Sequence, residues 1–303
     1  MKLTLLLTML LRVIFYSVLV FSAVSEVSAQ DKKHLDVDPE PGTRYVRFNL
    51  TSLEAISYLK PSQNSKPLNL YFITDDEKSL PKLESKKVGD VQDVNVMLEK
   101  PALSNNGLLG LGLFGAKEYK EKCNLYLSKG HDFELDLKYG TGNAFLDLSG
   151  IPVRKMSITS GSADVFVNCH ENTPNPVFLD TFNIKSDLGK IYIKNLNGLK
   201  ARVIKANISF GSVELELNNK LFSNTHIQAS LGAGSLNVIC TNPEIPIKVV
   251  IQDSPLCKIK LNDKFVKVSD NTFVNQAFLD RVSPNQFYIR FDLAVAMGNI
   301  SFQ

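Results

Sequence analysis

FELDLKYGTGNAFLDLSGIPVRKMSITSGSADVFV, residues 133–167, states one short phrase twice: a glycine, then apolar residues on every second position. Gly142 leads Ala144, Leu146 and Leu148; Gly161 leads Ala163, Val165 and Val167. Successive Cβ atoms of a strand point to opposite sides, so strict alternation gathers those apolar side chains on one face of a β-strand. The glycine ahead of each run suits a point where the chain turns with positive φ or where backbone packs on backbone.

Beyond this pair the phrase returns. Gly189 leads Ile191 and Ile193, Gly211 leads Val213, Leu215 and Leu217, and Gly234 leads Leu236, Val238 and Cys240. After a longer gap Gly298 leads Ile300 and Phe302. The glycines are 19, 28, 22, 23 and 64 residues apart. The first four intervals lie near the roughly 20–50-residue period of repeat folds. A second apolar run precedes each glycine, at 156–158, 182–184, 203–208 and 227–231, and Asn, Gly and Pro mark the breaks. No run after residue 29 has the three- and four-residue apolar spacing of a helix. The sequence predicts an all-β fold, a β-solenoid-like stack of glycine-led strand repeats over residues 119–303. Ending on a repeat phrase implies that the last strand returns to the sheet edge and closes it.

Residues 30–101 carry the pattern more weakly. Residues 45–50, 68–73 and 91–98 alternate like strands, while 61–67 and 75–87 are polar and loop-like. This is the atypical N-terminal β segment expected to cap a stack. Residues 102–118, ALSNNGLLGLGLFGAKE, form a Gly/Leu-rich loop. Gly110, Gly112 and Gly115 match G-x-G-x-x-G, but the βαβ setting that makes it a dinucleotide site is missing. Three readings of this apolar loop stand open: buried, flexible, or a small patch that touches a membrane or a partner.

Residues 1–29 have the form of a signal peptide. Lys2 and Arg12 supply basic charge, residues 13–24 an apolar stretch, and Val27-Ser28-Ala29 a small-residue cleavage site. Left uncleaved, the same segment would hold the chain at a membrane. Either way the folded part is exported. The net charge of +3 gives no case for nucleic acid. Of the four cysteines, Cys123, Cys169, Cys240 and Cys257, none forms a C-x-x-C pair, and both two disulfides and buried thiols fit an oxidising compartment.

Chemistry is sparse. His34, His131, His170 and His226 have no partner at metal-ligand spacing, and no H-E-x-x-H, G-x-S-x-G or phosphate-binding loop occurs, so no catalytic, metal or cofactor residue is assigned. Counted from each glycine, the outward positions form three columns. The first is Asn143, Ser162, Lys190, Ser212 and Ser235, and the second is Phe145, Asp164, Tyr192, Glu214 and Asn237. The third is Asp147, Phe166, Lys194, Glu216 and Ile239. A glycan-cleaving β-helix enzyme would need two carboxylates about 5–10 Å apart. Glu214 and Glu216, about 7 Å apart on one strand, and Asp147 and Asp164 are the ones to weigh, and all four are explained more simply as solvated groups. The outward aromatics Phe145, Phe166 and Tyr192, beside Lys190 and Lys194, are the candidate partner surface; the competing reading buries them under a further strand layer.

The phrases at 139–167, 230–239 (SLGAGSLNVI) and 293–302 (LAVAMGNISF) resemble those of bacterial toast-rack proteins. These belong with the LiaF-like C-terminal domain of the cell-wall-active-antibiotics response and with adhesin-type β-solenoids. The resemblance covers residues 123–303. It implies an envelope domain without catalysis, tied to stress sensing or surface contact, with no cofactor. Relatives of the LiaF type carry several membrane helices ahead of this domain, whereas this chain has only the signal-like segment. The expectation is an exported, non-enzymatic envelope protein acting on an envelope protein or surface component. A structural or adhesive surface protein is the alternative, and a carbohydrate-active β-helix enzyme stands third.

Overall fold

The computed structural model describes residues 31–74, 80–98, 121–218, 220–252, 256–281, 283 and 286–303. The signal-like segment and the loop at 102–118 lie outside these residues. The chain opens with β1 (Asp31–Val37), the long β2 (Tyr45–Ser62), β3 (Leu68–Thr74), β4 (Lys82–Val88), β5 (Val91–Leu98), β6 (Lys122–Ser128) and the long β7 (Phe133–Asp147). Then strands alternate in pairs: β8 (Val153–Ser160) and β9 (Asp164–Asn168), β10 (Leu179–Ser186) and β11 (Lys190–Lys194), β12 (Ala201–Ile208) and β13 (Ser212–Leu217), β14 (Thr225–Leu231) and β15 (Ser235–Cys240). The chain closes with β16 (Ile247–Gln252), β17 (Lys258–Lys260), β18 (Phe265–Ser269), β19 (Thr272–Asn275), one helical turn at Gln276–Leu279, β20 (Ile289–Val295) and β21 (Asn299–Phe302).

Each pair is one coil. Its first strand joins one mainly parallel ladder, ordered β4-β5-β2-β7-β8-β10-β12-β14-β20-β16-β19-β18. Its second strand joins another, ordered β1-β3-β6-β2-β7-β9-β11-β13-β15-β21-β17. β2 and β7 run through the corner and belong to both. Alternate side chains of both ladders point inward, as in the burial rhythm of β7, β13 and β15, and form a continuous apolar core from Val37 to Phe302.

The corner explains the glycines. Ala55, Gly142, Ala163, Gly189, Gly211, Gly234 and Gly298 stack in one column along the solenoid. A Cβ on Gly234 would meet the Gly211 carbonyl oxygen at 2.5 Å, and one on Gly298 would meet the Gly234 oxygen at 2.5 Å. Gly189 and Gly211 sit equally tight against Ala163 and Gly189. Only Gly142 in this column has positive φ, +101°. The residue type is therefore set chiefly by backbone packed on backbone, and positive φ is not the general cause. Inside the bend, the buried Ser160 and Ser186 hydroxyls donate to the Ala163 and Gly189 carbonyls at 2.5 and 2.6 Å.

Three sequence expectations need correction. Residues 82–88, read as loop, form β4, an edge strand whose alternation is hidden by lysines. The corner residue of the second repeat is Ala163, two positions after Gly161, which shifts that repeat's outward columns by two. Last, the final phrase does not close the sheet: β20 and β21 slot between the β14/β15 coil and β16/β17. Val91–Leu98 is a strand, as read, but the 64-residue gap before Gly298 is an excursion that wraps outside the C-terminal coil. The alternating, buried β20 needs neighbours on both flanks, whereas β18 is mostly exposed and suits the outside.

Among the described residues the four edge strands, β4, β18, β1 and β17, all carry lysine (Lys82, Lys86 and Lys87; Lys267; Lys32 and Lys33; Lys258 and Lys260), a charge pattern that discourages further strands from adding. The corner packing makes a direct prediction. Gly211→Ala should cost about 1–3 kcal/mol, the usual range for overpacking, and Gly211→Val more, read as loss of melting temperature. Wild-type melting of both variants would contradict the close approach.

Candidate functional site

The shifted register brings the sequence-predicted aromatics into one column. Tyr58 of β2, Phe145 of β7, Phe166 of β9 and Tyr192 of β11 are register partners on four adjacent coils of the second ladder. All four face outward, with Phe145 38% exposed, and among the described residues no further strand layer lies over them. Tyr58 and Phe145 stack with ring centroids 5.2 Å apart and planes at 15°, and Phe145 and Phe166 stack at 5.2 Å and 8°. Phe166 meets Tyr192 edge-on at 6.4 Å. Asn124, the register partner of Tyr58, ends the row, and beyond it Tyr126, Tyr71 and His34 form a separate aromatic group at the N-terminal end.

Charged groups border the row. The Lys60 ammonium lies 5.5 Å from the Tyr58 ring centre, and that of Lys190 5.7 Å from the Tyr192 ring. Lys190 also pairs with Glu214 at 3.1 Å, and the Tyr192 hydroxyl bonds to the Glu216 carboxylate. Burial, and then that carboxylate, push the Tyr192 phenol up to about 12. Lys194 is exposed at the rim. Together Tyr58, Phe145, Phe166, Tyr192, Lys60 and Lys194 line an open groove of about 300 Å³ that crosses the strands. Tyr58 escaped the sequence reading because β2 lies 87 positions before its partner Phe145; its outward place in the Ala55–Leu59 alternation was the available signal.

The carboxylates weighed for hydrolysis are otherwise engaged. Glu214 and Glu216 hold Lys190 and Tyr192, Asp147 accepts from Ser149, and Asp164 accepts from the Lys190 backbone N–H at 3.0 Å. The histidines stand apart: His34 stacks on Tyr71, His131 is depressed by burial, His170 accepts from the Asn172 N–H, and His226 contacts Asp292 at 2.6 Å. Among the described residues no group of three metal-ligating side chains gathers. All four cysteines are free thiols. Burial pushes Cys123 well up and Cys169 and Cys240 to about 11, so these three stay protonated at neutral pH. Cys240 borders a second cavity, about 500 Å³, at the C-terminal end of the solenoid with Phe265, Lys264 and Glu244.

The outer face of the first ladder is a useful contrast. There Asp93, Arg47, Glu134 and Lys155 alternate across four neighbouring strands, with contacts of 3.0, 3.5 and 3.6 Å. Asn95 accepts from Asn49 beside them at 2.8 Å. Further along, Arg290 and His226 bond to Asp292; burial raises its carboxyl, but the two bonds outweigh that and leave it below the ordinary carboxylate range. One face is thus a self-paired polar surface, and the other carries the aromatic row.

No family model and no curated protein sequence matches the chain. Among solved structures, a provisionally assigned cell-adhesion protein from Clostridium sporogenes superposes with a TM-score of 0.43 at 13% identity, covering 90% of this chain and 98% of its own. An adhesin candidate from Bacteroides fragilis gives 0.40 at 12%, covering 92% and 98%. A candidate lipid-binding protein from Parabacteroides distasonis gives 0.32 at 11%, covering 90% and 96%. Among the described residues no helix is long and apolar enough to cross a membrane.

The geometry of Tyr192 is checkable by spectrophotometric titration. One tyrosine should ionise near pH 12, and Tyr192→Phe should remove that component. Glu216→Gln should lower it while leaving it above the ordinary value of about 10, because burial remains. A titration unchanged by either substitution would contradict the contact.

Proposed function

We propose that this chain is an exported, non-enzymatic envelope protein that binds a partner protein through the aromatic groove of its second ladder. The observation that carries this reading is the difference between the two outer faces. A solvated sheet face satisfies itself with paired charges, as the first ladder does at Asp93, Arg47, Glu134 and Lys155. The second ladder instead places Tyr58, Phe145, Phe166 and Tyr192 side by side in solvent contact, an aromatic concentration of the kind that marks interfaces. Export rests on the signal-like residues 1–29.

The kind of partner follows from ring orientation. Tyr58, Phe145 and Phe166 stack face to face, so their faces are taken by one another and their edges point outward. Sugars stack on free ring faces. Apolar side chains of a protein pack against edges as well, and Lys60 and Lys194 add rim charge that favours a partner with acidic residues. The toast-rack resemblance of residues 123–303 agrees with a non-catalytic envelope role. A purely structural or adhesive surface role is the second reading, favoured by the long regular stack itself.

The double variant Phe145→Ser, Phe166→Ser tests the groove. It removes three ring contacts, each contributing about 0.5–1.5 kcal/mol, so the protein should still fold with a lowered melting point. Crosslinking in intact cells followed by mass spectrometry should return a discrete envelope protein with the wild type and lose it with the variant. Equal recovery of bulk envelope proteins from both would contradict the groove as a binding site.

A further inference from the structure

The outside of the corner carries a feature separate from the groove. The residue just before the corner position is apolar on five adjacent coils: Leu188, Phe210, Ala233 and Met297 ahead of corner glycines, and Leu256 ahead of Cys257; all but the half-buried Ala233 project into solvent. Leu188 is 66% exposed, Phe210 69%, Met297 55% and Leu256 69%. Their backbones are held in line, because the N–H groups of Leu188, Phe210, Ala233 and Met297 each donate to a carbonyl of the preceding coil at 2.7–2.9 Å. With about 4.8 Å between coils the ridge runs roughly 19 Å. The three coils before it have Glu54, Thr141 and Ser162 at this place, so the apolar character is confined to one half of the edge.

Where the chain leaves the described fold tells what this edge faces. Residues 1–30 lead into Asp31, which pairs with Thr74, level with the corner. Residues 99–120 depart after Leu98, paired with Ser52, and return before Lys122, paired with Ile56, so both of their ends also lie at the corner. These are the two most apolar stretches of the sequence outside the core strands, residues 13–24 and the GLLGLGLF of 107–114. Both therefore attach along the same corner edge, at its N-terminal half, four to six strands before Leu188. Just past the corner on the second ladder stand Lys122 and Lys258, on the side where anionic headgroups would lie.

We infer that the glycine-corner edge is a lipid-contacting edge, on which Leu188, Phe210, Met297 and Leu256 enter the interfacial layer of a bilayer. A convex row of single apolar side chains on a rigid backbone suits a fluid surface, where lipid closes around each side chain. It would hold the solenoid with its corner down and its aromatic groove facing sideways. This inference stands apart from the proposed partner groove and survives that reading's failure.

The chain contains no tryptophan, which gives a clean reporter. Phe210→Trp and Leu188→Trp would be made singly in the full chain. Phe178→Trp is the control, 43% exposed and ten residues before Leu188, about 30 Å along the strand direction from the corner. Each is mixed with vesicles of phosphatidylcholine and phosphatidylglycerol, with and without brominated phosphatidylcholine. Emission from the two corner reporters should move to shorter wavelength on adding vesicles and be quenched by the brominated lipid, while the control changes in neither respect. Corner emission unmoved by vesicles would overturn the inference, and so would equal quenching of the control. A blue shift that grows with protein concentration in the absence of vesicles would overturn it too, by assigning the ridge to a second copy of the chain.

Discussion

At the glycine corners of the solenoid, Gly189, Gly211, Gly234 and Gly298, the backbone of one coil lies against the backbone of the preceding coil with no room for a Cβ between them. Gly234 on Gly211 and Gly298 on Gly234 show the spacing, and the column extends from Ala55 to Gly298. Everything else is hung on that contact. It sets where the chain leaves one ladder for the other, and so which residues point inward along β9, β11, β13, β15 and β21. Because strand side chains alternate with period two, fixing the corner fixes every outward column as well.

Two consequences of that register bear on function. Aromatic side chains widely separated in sequence become neighbours at stacking distance, while the other outer face fills with paired charges. Neither surface needs catalysis to explain it. The carboxylates nearest the groove are spent on Lys190 and Tyr192, which orders the rim around the rings. The same corner that buries the glycines pushes the residues before them outward, so one constraint produces both the core and the exposed ridge.

Much of the fold was legible because a half-buried strand writes its period directly into sequence. The runs after Gly142, Gly189, Gly211, Gly234 and Gly298 all face inward as read. The second repeat was misplaced because Ala163 fills the corner where Gly161 looked the better candidate; alanine and glycine are both small enough there, and composition alone does not rank them. The slotting of β20 and β21 between earlier strands was invisible, since pairing partners 64 residues apart leave no local trace. Of the candidate site, Phe145, Phe166 and Tyr192 were legible as outward aromatics. Their union with Tyr58 depended on the pairing of β2 with β7, a long-range contact that no spacing rule encodes.

The central claim, that successive coils are joined backbone to backbone at the corner, is tested most directly by native-state hydrogen exchange resolved at single amides. Leu188, Phe210 and Met297 have exposed side chains at bends, where amides ordinarily exchange fast, yet each N–H here is bonded to the preceding coil at 2.7–2.9 Å. They should be protected to the same degree as the buried strand amides of Val213 and Leu236. Exchange at those corner amides at the rate of open loops, with the strands still protected, would contradict it.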